Sequence, residues 1–306
     1  MPMSPNRDSQ FQLGILDLGP PQDSFLTATK AEALGYSRYW LPEHHGANAQ
    51  CGSPTVMTAM IAGMTEKIRV GPAGLLLTYG SPLKTAEDYR LLSLLYPGRI
   101  DLGVARAMTT GATHEALLDG RAIGAVDYDA RVEMLTGLMR DELPPNHPAS
   151  SVHVVPIHEH EPPEIWVLGS SQRSVAVAAR LGTAFSFSEH LALIDPHADP
   201  DVGLRAIDEY RATFMPSRQL AAPRWSICVG GVCAESAADA TAAMPEGLEG
   251  FRATLMGSPE GCLEQLHRLQ ARYGTSEFVF AGLAATTGAK LRSYELLAEA
   301  CELAPS

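Results

Sequence analysis

Three titratable residues stand in a row in the stretch WLPEHHG, where Glu43, His44 and His45 follow an apolar run. Imidazole and carboxylate groups bind metals and move protons near neutral pH. Adjacent histidines chelate a metal poorly, because neighbouring side chains on an extended chain point to opposite faces. The pattern therefore favours a catalytic or ligand-contacting role for His44, and the alternative is a histidine that only ends a strand.

A second stretch, LGSSQRSVAVAARLG, predicts a strand that ends at Gly169 and a helix that begins at once. Ser170, Ser171 and Ser174 lie in the first turn of that helix. Helix N-termini present free backbone N–H groups and a positive dipole end, and serine hydroxyls add further donors. The spacing is typical of a phosphate or anion site, and equally of simple N-capping by Ser170.

Two further stretches hold residues that could contact a bound molecule. Arg106 ends the apolar run DLGVARA, and an arginine in such surroundings needs an anionic partner. A phosphate could fill that role, and so could Glu43 or Glu189 in an internal ion pair. The small residues Ala73 and Gly74 in VGPAGLLL would allow either a flat ring or a neighbouring strand to approach closely.

The remaining histidine and methionine clusters favour structural roles. The HEHE motif at 158–161 lies in a Pro- and His-rich connection, which favours a solvated loop over a metal site. The sequence also lacks the Cys/His spacing of zinc sites, so no metal is predicted. Met57, Met60 and Met64 share one face of a helical pattern, which favours the core or a subunit interface.

These residues are carried by alternating strand and helix patterns. Strand-like runs occupy residues 11–19, 36–42, 68–78, 99–107, 165–169, 184–190, 223–234 and 277–282. Helical patterns separate them, with an irregular region at 108–126 and one or two helices within 235–274. Eight such pairs predict an α/β protein, a (β/α)8 TIM barrel, in a single domain over 1–306. Residues 1–10 are expected to be a flexible N-terminus, and residues 144–163 an excursion with a short hairpin before the fifth strand.

A doubly wound open sheet is the alternative fold, although the first strand lacks the G-x-G-x-x-G motif of nicotinamide-binding sheets. In a barrel, active sites lie at the carboxyl ends of the strands. The polar residues at these ends, and hence the candidates for the site, are Asp17, Glu43, His44, His45, Arg106, Ser170, Ser171, Glu189 and His190. Of these, Asp17, Glu43, His45, Glu189 and His190 are the weaker candidates, assigned to a substrate pocket.

Composition argues against some classes of partner and indicates the compartment. The 306 residues carry 23 Lys and Arg against 35 Asp and Glu, for a net charge of −12, which disfavours nucleic acid and anionic membranes. We see no signal peptide and no apolar run near the roughly 20 residues of a membrane helix. The 5 cysteines are scattered without a Cys-x-x-Cys motif, which predicts reduced thiols in a cytoplasmic protein.

Taken together, the motifs resemble those of the bacterial luciferase-like flavin-dependent monooxygenases. The matching stretches are ALGYSRYWLPEHHG at 33–46, IRVGPAGLLLTYGSPLKTAEDYRLLSLLYPGRIDLGVARA at 68–107 and PPEIWVLGSSQRSVAVAARLG at 162–182. The resemblance implies a TIM barrel, usually a homodimer, that uses reduced FMN or, in some branches, a deazaflavin.

The resemblance also implies roles for particular residues. His44 is similar to the family's catalytic histidine beside the flavin, and Ala73-Gly74 to a place where the family often has a non-proline cis peptide. The implied grip on the FMN phosphate consists of Arg106, Gly169, Ser170, Ser171 and Ser174. The luciferases proper carry a thiol at the position of Ala105, so we do not expect light emission.

The expected function is a two-component monooxygenase. It would take reduced FMN from a separate NAD(P)H:flavin reductase and use O2 to oxygenate a small organic substrate, whose identity the sequence does not give. A deazaflavin-dependent dehydrogenase on the same barrel and a non-catalytic flavin-binding protein are the alternatives.

Overall fold

The computed structural model describes residues 11–46, 49–106, 109–122, 126–157, 161–192, 199–247 and 253–304. The strands within these ranges are β1 (Gln12–Leu16), β2 (Arg38–Leu41), β3 (Arg69–Pro72), β4 (Leu75–Leu76), β5 (Asp101–Ala105), β6 (Glu164–Gly169), β7 (Ala184–Ser188), β8 (Trp225–Cys233), β9 (Ala253–Gly257) and β10 (Glu277–Gly282). The helices are α1 (Pro21–Ala33), α2 (Pro54–Met64), α3 (Pro82–Leu95), α4 (Gly111–Leu118), α5 (Tyr128–Arg140), α6 (Gln172–Leu181), α7 (Glu189–Ala192), α8 (Val202–Thr213), α9 (Ala237–Ala242), α10 (Pro259–Tyr273) and α11 (Thr287–Ala300).

The strands form one nearly closed parallel barrel. Their order is β3-β2-β1-β10-β8-β7-β6-β5-β4, and every pairing is parallel. The two ends of this order, β3 and β4, together fill the position of the third barrel strand, which is interrupted at Ala73 and Gly74. We call each strand position around the barrel a stave. A bridge between Val70 and Ile100 joins β3 to the residue before β5. The predicted (β/α)8 TIM barrel is confirmed, with its third strand in two pieces.

Two local predictions were wrong, and one strand was not predicted. The predicted helices within 235–274 are α9 and α10. Residues 253–257 between them form β9, because β8 continues beyond β7 and offers its free edge from Gly230 onward. Residues 111–118 form α4 in a region expected to be irregular, where alanine and leucine supply helix propensity. Residues 144–157 and 161–163 contain no strand, so the described part of the predicted excursion holds no hairpin.

Apolar side chains pack on both sides of the staves. The larger core lies between strands and helices, and a smaller one fills the barrel interior. The interior core consists of Leu16, Trp40, Trp166, Leu168, Ala184, Cys228, Val279 and Ala281. Trp40 and Trp166 contact each other edge to face, with ring centroids 5.3 Å apart. These two indoles form the floor of the cavity, beneath the residues at the carboxyl ends of the strands.

Below the indoles lies a set of ionised side chains that we call the charged layer, made up of Arg38, Arg69, Asp101, Glu164, Arg224 and Glu277. The guanidinium of Arg38 is 4.6 Å from the Trp166 ring centroid and pairs with Asp101 at 3.0 Å and Glu277 at 2.7 Å. Asp101 also accepts a hydrogen bond from Trp40 Nε1 at 2.8 Å. The charged layer thus fixes the floor of the barrel from beneath.

Candidate active site

A cavity of about 540 Å³ opens at the carboxyl ends of the strands. Its volume lies in the range of small-molecule and cofactor sites. It is lined by Leu16, Leu18, Trp40, Pro42, Glu43, His44, Ala73, Gly74, Leu76, Ala105, Arg106, Leu168, Gly169, Ser170, Ser171, Ser174, Ser188, His190, Leu191 and Cys228. One side of the cavity is apolar, and the polar groups concentrate at the ends of β2, β5, β6 and β7.

His44 is positioned by a tight turn after β2. Pro42 cannot donate to a ladder, so the chain leaves the sheet there, and the N–H of His44 donates to the carbonyl of Cys51 at 2.9 Å. The imidazole remains exposed at the cavity mouth. Enclosure by the surrounding protein lowers the pKa of His44, His45 lowers it further, and the carboxylate of Glu43 opposes both. A ring of this kind is mostly neutral at pH 7 and can accept a proton.

Glu43 and His45 face each other across His44. One carboxylate oxygen of Glu43 lies 2.8 Å from His45 Nε2, and the other accepts the N–H of Leu76 at 2.8 Å. Among the described residues, Glu43 lines the cavity and His45 does not. The adjacent histidines therefore occupy different environments.

A ledge is formed by residues 73–76, where the third stave is interrupted. The peptide bond between Ala73 and Gly74 is cis, as the resemblance implied. A Cβ at position 74 would lie 2.8 Å from the carbonyl carbon of Val104, so only glycine fits against β5 there. The ledge gives the cavity a flat wall without protruding side chains at its centre.

Arg106 and the first turn of α6 form a cradle of donors. Arg106 is exposed at the end of β5, and no carboxylate of the described chain pairs with it. Ser171, and not Ser170, caps α6, since its hydroxyl accepts the N–H of Ser174 at 3.3 Å. The hydroxyls of Ser171 and Ser174 are 3.1 Å apart. A guanidinium that lines the same cavity as serine hydroxyls and a helix N-terminus supplies a donor set that fits a phosphate group.

Both carboxylates that could have paired with Arg106 have other partners. Glu43 is bonded as described above, and Glu189 is buried and accepts from Thr254 at 2.6 Å and from Tyr273 at 3.5 Å. The internal ion pair considered for Arg106 is therefore not formed with either residue.

The other predicted pocket residues fall into two groups. Asp17 and Glu189 are buried behind the wall and do not line the cavity, because their oxygens hold hydroxyl groups; Asp17 accepts from Ser24 at 2.8 Å. His190 does line it, is 4% exposed, and has Nδ1 3.2 Å from the carbonyl oxygen of Cys228. Burial lowers the pKa of His190.

Sequence reasoning did not single out several residues that line the cavity, among them Trp40, Ser188 and Cys228. Alternation along β2, β7 and β8 would have placed each on the same face as its neighbours two residues away. The alternation does not tell which of the two faces points into the barrel, because these strands are apolar on both sides.

A second cavity, of about 710 Å³, lies at the opposite end of the barrel. Its walls include Arg69, Arg224 and Glu164, which are already paired within the charged layer. Arg140, also in its wall, donates to the carbonyls at the end of α6. Because barrel chemistry takes place at the carboxyl ends of the strands, we assign the site to the 540 Å³ cavity.

Among the described residues, no group of three or more His, Cys, Asp or Glu side chains could hold a metal ion. Most of the HEHE motif, residues 158–160, lies outside the described residues. None of the described helices is both long enough and apolar enough to cross a bilayer.

The chain belongs to the luciferase-like monooxygenase family, whose sequence model matches residues 19–278. It is 31% identical to an uncharacterized Bacillus subtilis protein, YceB, over 94% of this chain and 99% of the other. It is 34% identical to a protein of Escherichia coli called luciferase-like monooxygenase, over 76% of this chain and 70% of the other.

Solved structures of the same fold include apo-MsnO8, with a TM-score of 0.83, 30% identity and coverage of 97% of this chain and 99% of the other. Two more distant structures share the fold alone. A type II Baeyer-Villiger monooxygenase component of Pseudomonas putida, in complex with FMN, has a TM-score of 0.70 at 15% identity, covering 94% and 97%. An F420-dependent secondary alcohol dehydrogenase has a TM-score of 0.67 at 13% identity, covering 95% and 99%.

Proposed function

We propose that this protein is a monooxygenase that takes reduced FMN from a separate reductase and uses O2 to oxygenate a small organic substrate. The observation that carries the proposal is the donor cradle: Arg106 pairs with no carboxylate among the described residues and lines the same largely apolar cavity as Ser171 and Ser174. His44 and the glycine-containing ledge line the same cavity, and the ledge pairs with β5 at Ala105, next to Arg106. A flat ring with a phosphate tail fits a cavity that combines these donors with apolar walls.

Each residue would then have a definite task. Arg106 and the first turn of α6 bind the phosphate, and the ledge lies against the ring. Leu16, Leu168 and Trp40 exclude water from the reacting atoms. His44, neutral at pH 7 because its pKa is lowered, holds or accepts a proton at the cavity mouth. Bound reduced FMN would supply the two electrons that oxygen activation requires.

The atom balance defines the test. One oxygen atom of O2 enters the substrate, the other leaves as water, and reduced FMN becomes FMN. Enzyme loaded with FMN and photoreduced without air should, on mixing with heavy-isotope O2 and a substrate panel, yield a product carrying one heavy oxygen by mass spectrometry. If only hydrogen peroxide forms with every substrate, the protein is a flavin carrier. If a deazaflavin, and not FMN, binds and exchanges hydride, it is a dehydrogenase.

The cavity supports an uncharged, largely apolar substrate. Apart from Arg106, no lysine or arginine is among its described lining residues, and the wall is completed by Leu18, Leu76 and Leu191. With FMN bound, a neutral ketone or thioether should perturb the flavin spectrum at lower concentration than a sulfonate of the same carbon skeleton. Tighter binding of the sulfonate would show that a cation outside the described lining serves the substrate.

A homodimer is supported by an apolar stripe on two neighbouring helices. Val56, Met60 and Met64 of α2 are 58%, 48% and 56% exposed and lie four residues apart on one side. Leu91 and Leu95 of α3 are 45% and 58% exposed in the same spacing. Exposed apolar patches of this kind mark interfaces, and a two-fold dimer would bury the stripe against its copy. Met60→Glu should shift the protein from dimer to monomer in analytical ultracentrifugation, and an unchanged dimer would place the interface elsewhere.

A further inference from the structure

The turn that carries His44 and the ledge at residues 73–76 meet where the pairing between β2 and the third barrel strand ends. β2 pairs with β3 only as far as Leu41 and Pro72, and the N–H of Ala73 donates to the carbonyl of Leu41 at 2.7 Å. Beyond that point the chain after Pro42 turns away. The two-residue strand β4 keeps its ladder with β5 on one side, and none of the described strands pairs with it on the other.

Glu43 occupies the position of the missing strand. Its Oε2 accepts the N–H of Leu76 at 2.8 Å, although it belongs to the loop that has left the sheet. Leu76 is 6% exposed, so without this acceptor its N–H would be buried and unsatisfied. The Glu43 side chain therefore accepts, at the edge of the ledge, the hydrogen bond that a backbone carbonyl of a neighbouring strand would otherwise accept.

The second oxygen of Glu43 fixes the other wall. Oε1 lies 2.8 Å from Nε2 of His45, with both side chains mostly buried, at 14% and 18% exposure. Because Glu43 and His45 flank His44 in sequence, their contact closes a small ring of chain from which the His44 imidazole projects. One carboxylate thus contacts the ledge and restrains the backbone of the imidazole.

We propose that Glu43 is a positioning residue that locks the His44 turn to the ledge at residues 73–76, so that both present one fixed cleft to a flat ring. The proposal rests on the proposed flavin function, and goes beyond it by naming what sets the spacing of the two walls. Both carboxylate oxygens of Glu43 are engaged in these two contacts.

The test compares three variants. Glu43→Leu is similar in size and removes both contacts, whereas Glu43→Gln keeps an oxygen that can accept the Leu76 N–H. The matched control is Glu32→Leu: Glu32 also accepts backbone N–H groups, from residues 66, 67 and 68, but near the start of the same stave, and does not line the cavity.

Amide hydrogen exchange reads the lock directly and requires no flavin. We expect exchange at Leu76 to accelerate in Glu43→Leu and to stay slow in Glu43→Gln and in Glu32→Leu. Slow exchange at Leu76 in Glu43→Leu would overturn the proposal whatever the enzyme does.

Kinetics read the consequence. A displacement of about 1 Å between reacting groups can reduce a rate about 100-fold, so Glu43→Leu should lose about 10- to 100-fold in kcat while the Kd for FMN, set by the phosphate cradle, changes little. Glu43→Gln should restore kcat to within about fivefold, and Glu32→Leu should lower thermal stability but leave kcat intact. An equal loss of kcat in Glu32→Leu would show a general structural effect and reject positioning. A wild-type protein that neither binds nor oxidises reduced FMN would refute the proposed function, while the exchange result would still decide the lock.

Discussion

At the scale of single residues, the site depends on how the surrounding protein shifts the pKa of His44. Enclosure lowers its pKa from the ordinary value of 6.5, and the nearby Glu43 carboxylate limits the shift. The imidazole is neutral above the lowered pKa and becomes charged as the pH falls through it. A rate that needs the neutral ring is therefore fully present at pH 7 and is lost on the acid side of 6.5.

His44→Ala should reduce turnover about 100-fold or more, in the range for loss of a positioned acid–base group, and leave the Kd for FMN nearly unchanged. The variant should also lose the acid limb of the pH profile of kcat. These quantities are read by stopped-flow kinetics and by quenching of flavin fluorescence. A variant with wild-type turnover would remove His44 from the chemistry.

Arg106→Ala isolates the phosphate contact. A hydrogen bond to a charged group contributes about 1.5–3 kcal/mol, so the Kd for FMN should rise about 10- to 100-fold. Riboflavin, which lacks the phosphate, should bind the variant and the wild type alike. Equal weakening of both ligands in parallel titrations would show that Arg106 does not contact the phosphate.

At the scale of elements, the first turn of α6 supplies the donors of the proposed phosphate site. Its first turn follows β6 directly, and Gly169 leaves room for Ser174: a Cβ at position 169 would lie 2.4 Å from the Ser174 hydroxyl. Gly169→Ala should therefore push Ser174 out of the cradle and weaken FMN more than riboflavin. A suitable control is Gly288→Ala, where a Cβ would meet nothing within 4 Å. Indistinguishable FMN affinities in the two variants would contradict this account.

The elements also show what sequence can and cannot provide. The strand that ends at Gly169 and the helix that starts after it were predicted, because apolar runs and serine caps are local signals. β9 was missed, because its only reason to be a strand is the free edge of β8, a tertiary partner. Asp17 and Glu189 were predicted to lie in the pocket because they follow strand ends, which gives their position along the barrel axis. Neither lines the cavity, because the direction of a side chain at a strand end depends on the loop that follows.

At the scale of the whole molecule, stability and site share the charged layer. Asp101 is fully buried and accepts from Arg38 at 3.0 Å, from Arg69 at 2.8 Å and from Trp40 at 2.8 Å. Asp101→Asn removes the charge and leaves Arg38 under-compensated, which should lower the free energy of unfolding by about 3–5 kcal/mol. Glu295→Gln, which breaks surface pairs with Lys30 and Arg292, should cost less than about 1 kcal/mol. Urea unfolding compares the two, and similar losses would show that the layer contributes no more than surface pairs.

The charged layer also closes the barrel axis. It separates the cavity at the carboxyl ends from the one at the amino ends, so the described residues leave no passage along the axis between the two cavities. Under the proposed function, flavin and substrate would then share the carboxyl-end cavity and enter it from the same end of the barrel. High substrate concentrations should therefore slow the exchange of flavin.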